Sequence, residues 1–106
     1  MPEKDYESFL RSRITELRLK RNTSEHKMSL DLGKSGSYIR GITSGVALPS
    51  LRELFNIITY FEMTPTEFFF PLDANHTPYA KLCERLLHLE DEDLEKINTF
   101  IDWIIK

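Results

Sequence analysis

The chain has little cysteine, and it lacks a long apolar run. Cys83 is its single cysteine, so an internal disulfide is excluded, and we interpret it as a small buried residue on a helix rather than a redox or metal site. No segment reaches the ~18 apolar residues needed to span a bilayer, and Met1 to Leu10 lacks the apolar core of a signal peptide. We therefore expect a cytoplasmic protein without a membrane partner.

Patterns that carry catalysis are also missing. His26, His76 and His88 show no metal-ligand spacing, no serine occupies a nucleophile elbow, and the glycines do not form a phosphate-binding loop. Of 106 residues, 41% are hydrophobic, which suffices for one modest core with an appended oligomerisation element. The sequence thus predicts no enzyme, no cofactor and no metal, and no small-molecule effector is inferred from it.

The net charge of the chain is small, but the charged residues are unevenly distributed. The net charge is −3, yet residues 1–50 carry nine basic and six acidic groups, whereas residues 51–106 carry five basic and eleven acidic groups. Basic residues of the first half include Arg11, Arg13, Arg18, Lys20, Arg21, Lys27, Lys34 and Arg40. Because the location of charge decides which partner is attracted, we expect this group to lie near phosphates. A solvated helix face is the alternative for any single residue.

The central part of the chain has the pattern of two short helices joined by a glycine turn. Ser24 is a suitable N-cap, and Met28 and Leu32 lie four residues apart, on one face of the first helix. Gly33 can adopt the left-handed conformation that ends this helix. Such a pair is typical of a helix-turn-helix unit, in which the second helix can enter the major groove of DNA.

The second helix of the pair is expected to begin after Ser35, a candidate N-cap, and to end at Gly45. Ile39 and Ile42 are the residues best placed to anchor it to the core. Its opposite side is predicted to carry Ser37, Arg40, Gly41, Thr43 and Ser44. That side would therefore face solvent or a ligand.

The same segment resembles the Xre/Cro repressor family of helix-turn-helix regulators, without a gap from residue 24 to residue 50. The positions that match are Ser24, Leu32, Gly33, Ser35, Ser37, Tyr38, Ile39, Ile42, Gly45, Pro49 and Ser50, with Met28 in place of the usual leucine. With the flanking helices, the resemblance covers about residues 8–71. It implies an all-α fold, namely a five-helix lambda-repressor-like helix-turn-helix bundle that forms a DNA-binding domain.

The resemblance also implies that double-stranded DNA is the partner. The residues expected at the DNA-binding surface are Ser24, Lys34, Ser35, Ser37, Tyr38, Arg40, Thr43 and Ser44. Ser37 and Tyr38 suit a hydrogen bond or an apolar contact with a thymine methyl group. Arg40 can reach a guanine or a phosphate, whereas Lys34 suits a phosphate.

Several positions depart from the family pattern. Glu25 replaces a glutamine that commonly touches DNA, and its carboxylate would repel a phosphate unless a neighbour pairs with it. Gly36 and Gly41 occupy positions that often carry long base-reading side chains; they either permit close approach of the backbone to DNA or only ease packing. Thr43 replaces a glutamate that tends to pair with the arginine at position 18, so Arg18 either finds another acid or meets a phosphate.

The flanking segments have helical patterns. Leu10, Ile14 and Leu17 form an apolar stripe over about residues 5–21. Two later helices are expected to open with capping boxes, formed by Ser50 with Glu53 and by Thr64 with Glu67. The second of these is expected to end at Pro71, and two of the three phenylalanines at 68–70 are assigned to the core.

Residues 77–106 are predicted to form two extra C-terminal helices, the first from Thr77 to about Leu89 and the second from the acidic stretch at 90–95. The last helix is apolar on more than one face, so we expect either self-association through this segment or burial within the monomer, and we favour self-association. The residues predicted for oligomerisation are Ile97, Phe100, Ile101, Trp103 and Ile104.

The sequence thus favours a sequence-specific DNA-binding transcriptional regulator, a repressor that binds an inverted-repeat operator as a homodimer. The alternative is a protein-interaction module on a degenerate helix-turn-helix scaffold. Glu25, Gly36 and Gly41 favour the alternative, whereas the basic first half and the intact turn favour DNA binding.

Overall fold

A computed structural model describes residues 3–73 and 77–106, with the side chains of residues 3–5 and 73 excepted. These residues form seven helices and no strand, which confirms the predicted all-α class. The helices are α1 (Glu3–Lys20), α2 (Glu25–Asp31), α3 (Tyr38–Thr43), α4 (Leu51–Tyr60), α5 (Pro65–Asp73), α6 (Pro78–Leu86) and α7 (Asp91–Ile104). Residues 74–76 of the predicted connector, including His76, lie outside the described residues.

The chain divides into two compact units, Met1–Leu72 and Asp73–Lys106. The core of the first unit is built from apolar side chains of α1 to α5 and of the residue that follows α4. Its members are Leu10, Ile14, Leu17, Met28, Ile39, Ile42, Ile57, Ile58, Phe61 and Phe68. The predicted stripe of α1 and the two isoleucines that anchor α3 are therefore confirmed.

Local capping explains where the helices of the first unit begin and end. The Ser24 hydroxyl accepts a hydrogen bond of 3.0 Å from the Lys27 amide, as predicted. Both predicted capping boxes are present, and in the first of them the Glu53 carboxylate also accepts from the Ser50 amide at 2.9 Å. Gly33 has a φ of 73° at the end of α2, where a side chain would be strained.

The prediction that α5 ends at Pro71 is wrong, since this helix continues to Asp73. Proline has no amide hydrogen, so the Glu67 carbonyl loses its usual donor four residues along the helix. The Arg13 guanidinium of α1 replaces that donor, with Nη2 donating to the Glu67 carbonyl at 3.0 Å and Nε donating to the Phe68 carbonyl at 2.8 Å. Arg13 is 7% exposed, and this buried contact stabilises a helix that contains a proline.

The start of α3 also differs from the prediction. The helix begins at Tyr38 rather than directly after Ser35, and Ser37 is its N-cap residue without a side-chain capping bond. Capping comes instead from α2, where the buried Ser29 hydroxyl accepts from the Ile39 amide at 3.0 Å and donates to the Glu25 carbonyl at 2.7 Å. One hydroxyl therefore joins the two helices of the pair and fixes the start of the second.

The phenylalanines of α5 follow their predicted division. Phe68 is fully buried, and Phe69 packs against the core while its ring stacks on Phe9 with the centroids 6.0 Å apart. Phe70 is half-buried. The assignment of two phenylalanines to the core is therefore confirmed.

The second unit contains α6 and α7. The predicted N-cap of α6 is confirmed, with the Thr77 hydroxyl accepting from the Ala80 amide at 3.1 Å, but the helix ends at Leu86 rather than near Leu89. No residue of α7 is buried, and the Phe100 and Trp103 rings stack on each other with centroids 5.8 Å apart. An apolar surface of α7 is therefore left unburied within the second unit.

Candidate nucleic-acid interface

The eight residues predicted to contact DNA all lie at the start of α2, in the turn after it, or on α3 and its C-cap. Five of them are exposed: Ser24, Ser35, Ser37, Arg40 and Ser44. The other three are half-buried: Lys34, Tyr38 and Thr43. Since Ile39 and Ile42 point into the core, the outer side of α3 carries the polar residues, as its sequence pattern indicates.

Glu25 joins two residues of this surface. The Thr43 hydroxyl donates to one carboxylate oxygen at 2.5 Å, and the Arg40 Nη1 atom contacts the other at 3.2 Å. The hydrogen bond from Thr43 is the largest of the effects that lower the pKa of Glu25, and the contact with Arg40 lowers it further. At neutral pH Glu25 is therefore a carboxylate with a partner on each oxygen, and the positive charge of Arg40 offsets its negative charge on the side of α3.

Arg18 of α1 is a half-buried residue whose charge acts on Glu25. Its Nη1 atom donates to the Thr23 carbonyl at 2.9 Å, and its positive charge also lowers the pKa of Glu25. Among the described residues Arg18 forms no ion pair, and its half-buried guanidinium is held by a backbone carbonyl rather than by an acid. Glu25 on α2 is the acid whose pKa its charge lowers, and Thr43 on α3 is bonded to the carboxylate of Glu25.

A second cluster lies at the turn and the start of α4. The Lys34 ammonium forms an ion pair of 2.9 Å with the Glu53 carboxylate and lies 5.4 Å from the centre of the Tyr38 ring. Lys34 and the Ser50 amide hold the pKa of Glu53 at about 2. Burial, together with the nearby Glu53 carboxylate, raises the pKa of Tyr38 to about 12, and the Tyr38 hydroxyl is enclosed. Tyr38 therefore presents part of its ring, rather than its hydroxyl, at the surface.

The basic residues of α1, and Arg21 directly after it, do not all remain available for phosphates. Arg13 is buried against the carbonyls of α5, so the expectation that it lies near a phosphate is wrong, and Arg18 is half-buried and donates to the Thr23 carbonyl. Arg21 stacks over the Tyr60 ring with its guanidinium carbon 4.9 Å from the ring centre and donates to the Tyr60 carbonyl. The basic surface that remains near α3 is therefore smaller than the charge count indicates.

Sequence reasoning missed contacts of three residues that shape this surface. The bond of Ser29 to the Ile39 amide and the ion pair of Glu53 with Lys34 were missed because the partners lie 10 and 19 residues away along the chain. For His26 the sequence showed only that metal-ligand spacing is missing, whereas its ring lies against Gly36. Gly36 itself was the available signal, because a glycine in place of a long side chain leaves a space that a neighbour can fill.

Other kinds of site find little support in the described part of the chain. Within residues 3–73 and 77–106, no group of histidine, cysteine and carboxylate side chains is arranged to hold a metal ion. None of the helices described there is both long and apolar enough to cross a bilayer. The polar surface of α2 and α3 thus remains the main candidate site.

Comparison with known proteins agrees with this geometry. The family model described as helix-turn-helix matches residues 14–68, which is just over half of the chain and includes α2 and α3. No curated protein and no solved structure gave a match. The family is one of DNA-binding domains rather than a class of enzymes, so the polar surface of α3 belongs to a DNA-binding regulator. The chain is therefore a member of the helix-turn-helix family of the Xre/Cro type.

Proposed function

We propose that this regulator is a repressor that recognises an inverted-repeat operator in double-stranded DNA as a homodimer, in the cytoplasm. The observation that carries the proposal is the outward position of Arg40, whose side chain is 75% exposed on α3. A guanidinium at such a place can bond in a bidentate manner to a guanine edge in the major groove. Ser37 and Ser44 lie at the two ends of the same helix and are exposed, so they are suited to further polar contacts.

The contact between Arg40 and Glu25 does not prevent this use. An exposed ion pair contributes only about 0–1 kcal/mol, whereas a good bidentate contact with a base discriminates by about 1–3 kcal/mol. Arg40 can therefore exchange its partner at a low cost. Until it does so, Glu25 limits the positions that the guanidinium explores, which lowers the entropy lost on binding.

Arg40 and Lys34 provide a matched test of the proposal. The operator is first selected from a random DNA pool, and binding to operator and random DNA is then measured over a range of salt concentrations. Arg40→Ala is expected to reduce the preference for operator over random DNA about tenfold, because it removes a base contact. Lys34→Ala is expected to weaken both complexes equally and to lower the salt slope by about one unit. Equal losses for Arg40→Ala would make Arg40 a phosphate contact.

The dimer is proposed to form through residues 77–106. In α7 the exposed fractions are 58% for Phe100, 71% for Trp103 and 58% for Ile104, and leaving such apolar area in water is unfavourable. Ile101 is 40% exposed and Ile97 is half-buried. A two-fold axis would place two copies of α3 in adjacent major grooves about 34 Å apart, and this is why we propose an inverted repeat.

Sedimentation tests the dimer directly. Ile104→Asp places a charge in the proposed interface and is expected to yield monomers, and Trp103→Ala is expected to weaken association. Lys106→Ala, next to the same helix, serves as the control and is expected to leave the dimer intact. An unchanged dimer in Ile104→Asp would exclude this surface as the interface.

The second candidate function is binding of a partner protein. It is favoured by the pairing of Lys34 and Arg40 with carboxylates and by apolar residues after α3, of which Val46 is 84% exposed and Leu51 is 68% exposed. The two candidates differ in their behaviour at low salt. DNA binding is strongest there because counterion release is most favourable, so a lack of binding to any DNA at about 50 mM salt would support the partner protein.

A further inference from the structure

The inference concerns His26 on α2 and Gly36 in the turn before α3. A Cβ atom built on Gly36 would lie 2.5 Å from both Cε1 and Nδ1 of the His26 ring. Such a distance is far below van der Waals contact, so an alanine at position 36 and the present position of the ring exclude each other. The imidazole of His26 thus occupies the space that a side chain of Gly36 would take.

Position 36 is one at which the resemblance to the family places a long base-reading side chain. Gly36 has no side chain, and this absence counted against sequence-specific DNA binding. The structure brings another side chain to the same place, from α2 rather than from the turn. His26 is exposed, and no hydrogen bond or ion pair joins its ring to the rest of the described chain, so neither ring nitrogen has a partner there.

We infer that His26 is a specificity-determining residue that reads a base edge in the major groove in place of the side chain missing at Gly36. A neutral imidazole carries one donor and one acceptor, and each can pair with a base edge in the major groove. Glu25 and Thr43 are bonded to each other on the neighbouring part of the surface, so neither competes for the ring. This inference rests on the proposed function, and it adds a base contact that the α3 residues alone do not supply.

The test compares three variants on DNA selected by the wild-type protein. His26→Ala is expected to lose the preference at one or two adjacent base pairs by about tenfold and to change binding to random DNA less than twofold. Gly36→Ala is expected to give the same loss at the same base pairs, because its methyl group must displace the ring. His88→Ala replaces an exposed histidine of the second unit and serves as the matched control, with the wild-type preference at every position.

Folding is checked in parallel by thermal denaturation. The His26 ring is the exposed end of a side chain, so Gly36→Ala can displace it without loss of the core, and we expect a folded protein with altered recognition. Retention of the full preference by His26→Ala, or an equal loss of affinity for all DNA, would overturn the inference while leaving the proposed function in place. If the wild-type protein selects no sequence, the proposed function fails first and the inference fails with it.

Discussion

The substitution Ser29→Ala tests whether a single hydroxyl holds the two helices of the motif together. Ser29 is 0% exposed, and its Oγ atom accepts from the Ile39 amide at 3.0 Å while it donates to the Glu25 carbonyl at 2.7 Å. Removing the oxygen leaves the Ile39 amide at the start of α3 buried and without that acceptor. An unsatisfied buried donor costs about 1–3 kcal/mol, and loss of an N-cap costs about 1 kcal/mol on its own.

We therefore expect Ser29→Ala to lower the free energy of unfolding by about 2 kcal/mol, measured by urea denaturation followed by circular dichroism. For a domain of this size, the melting temperature should fall by about 10 °C. Ser37→Ala is the matched control, because Ser37 is exposed and its side chain makes no capping bond, so its cost should stay below about 0.5 kcal/mol. Similar small costs for both variants would refute the role assigned to the Ser29 hydroxyl.

Three further predictions follow from the helices around the site. Gly41→Ala should raise the free energy of unfolding by about 0.5–1 kcal/mol in urea denaturation, because alanine reduces the entropy of the unfolded chain and its Cβ meets no atom within 4 Å in the folded one. A loss of stability would show that the position has no room for a side chain. Glu53 has a folded pKa of about 2 against an ordinary value of 4.5, so it contributes stability above pH 4.5 that is lost as the pH falls toward 2. Glu53→Gln should make that loss of stability smaller, as measured by urea denaturation at a series of pH values. An unchanged dependence of stability on pH would argue against the ion pair. Arg13→Met should lower the free energy of unfolding by about 1–3 kcal/mol in the wild type and by less in a Pro71→Ala background, because the restored backbone amide can donate to the Glu67 carbonyl. Equal losses in the two backgrounds would exclude that compensation.

Much of the fold follows from patterns that act over a few residues. Ser24 lies three residues before the amide that it caps, and Gly33 ends α2 through its own backbone, so both could be identified from the sequence. The continuation of α5 through Pro71 could not, because the replacement donor comes from Arg13, 54 residues before the carbonyl that it serves. A proline is a reliable helix end only where no distant side chain satisfies the carbonyl that it leaves free.

The candidate site was predicted less completely than the fold for the same reason. Each departure from the family pattern, taken alone, weakened the case for DNA binding, since Glu25 adds a negative charge and Gly36 removes a side chain. In the folded chain, neighbouring side chains compensate for the added charge of Glu25 and for the missing side chain of Gly36. The Glu25 carboxylate bonds to Thr43 and Arg40, and the His26 ring fills the space beside Gly36.

The position of the acid in this chain differs from the family pattern. In the family pattern a glutamate on the second motif helix pairs with the arginine of the first helix, whereas here Thr43 takes the place of that glutamate. Glu25 on α2 provides the carboxylate, and the charge of Arg18 and the hydroxyl of Thr43 both act on it. Arg18 is half-buried, and its guanidinium bonds to the Thr23 carbonyl instead of forming an ion pair. The acid on α2 does contact Arg40, so a carboxylate whose pKa is lowered by the charge of Arg18 also helps to orient the side chain proposed to read the operator.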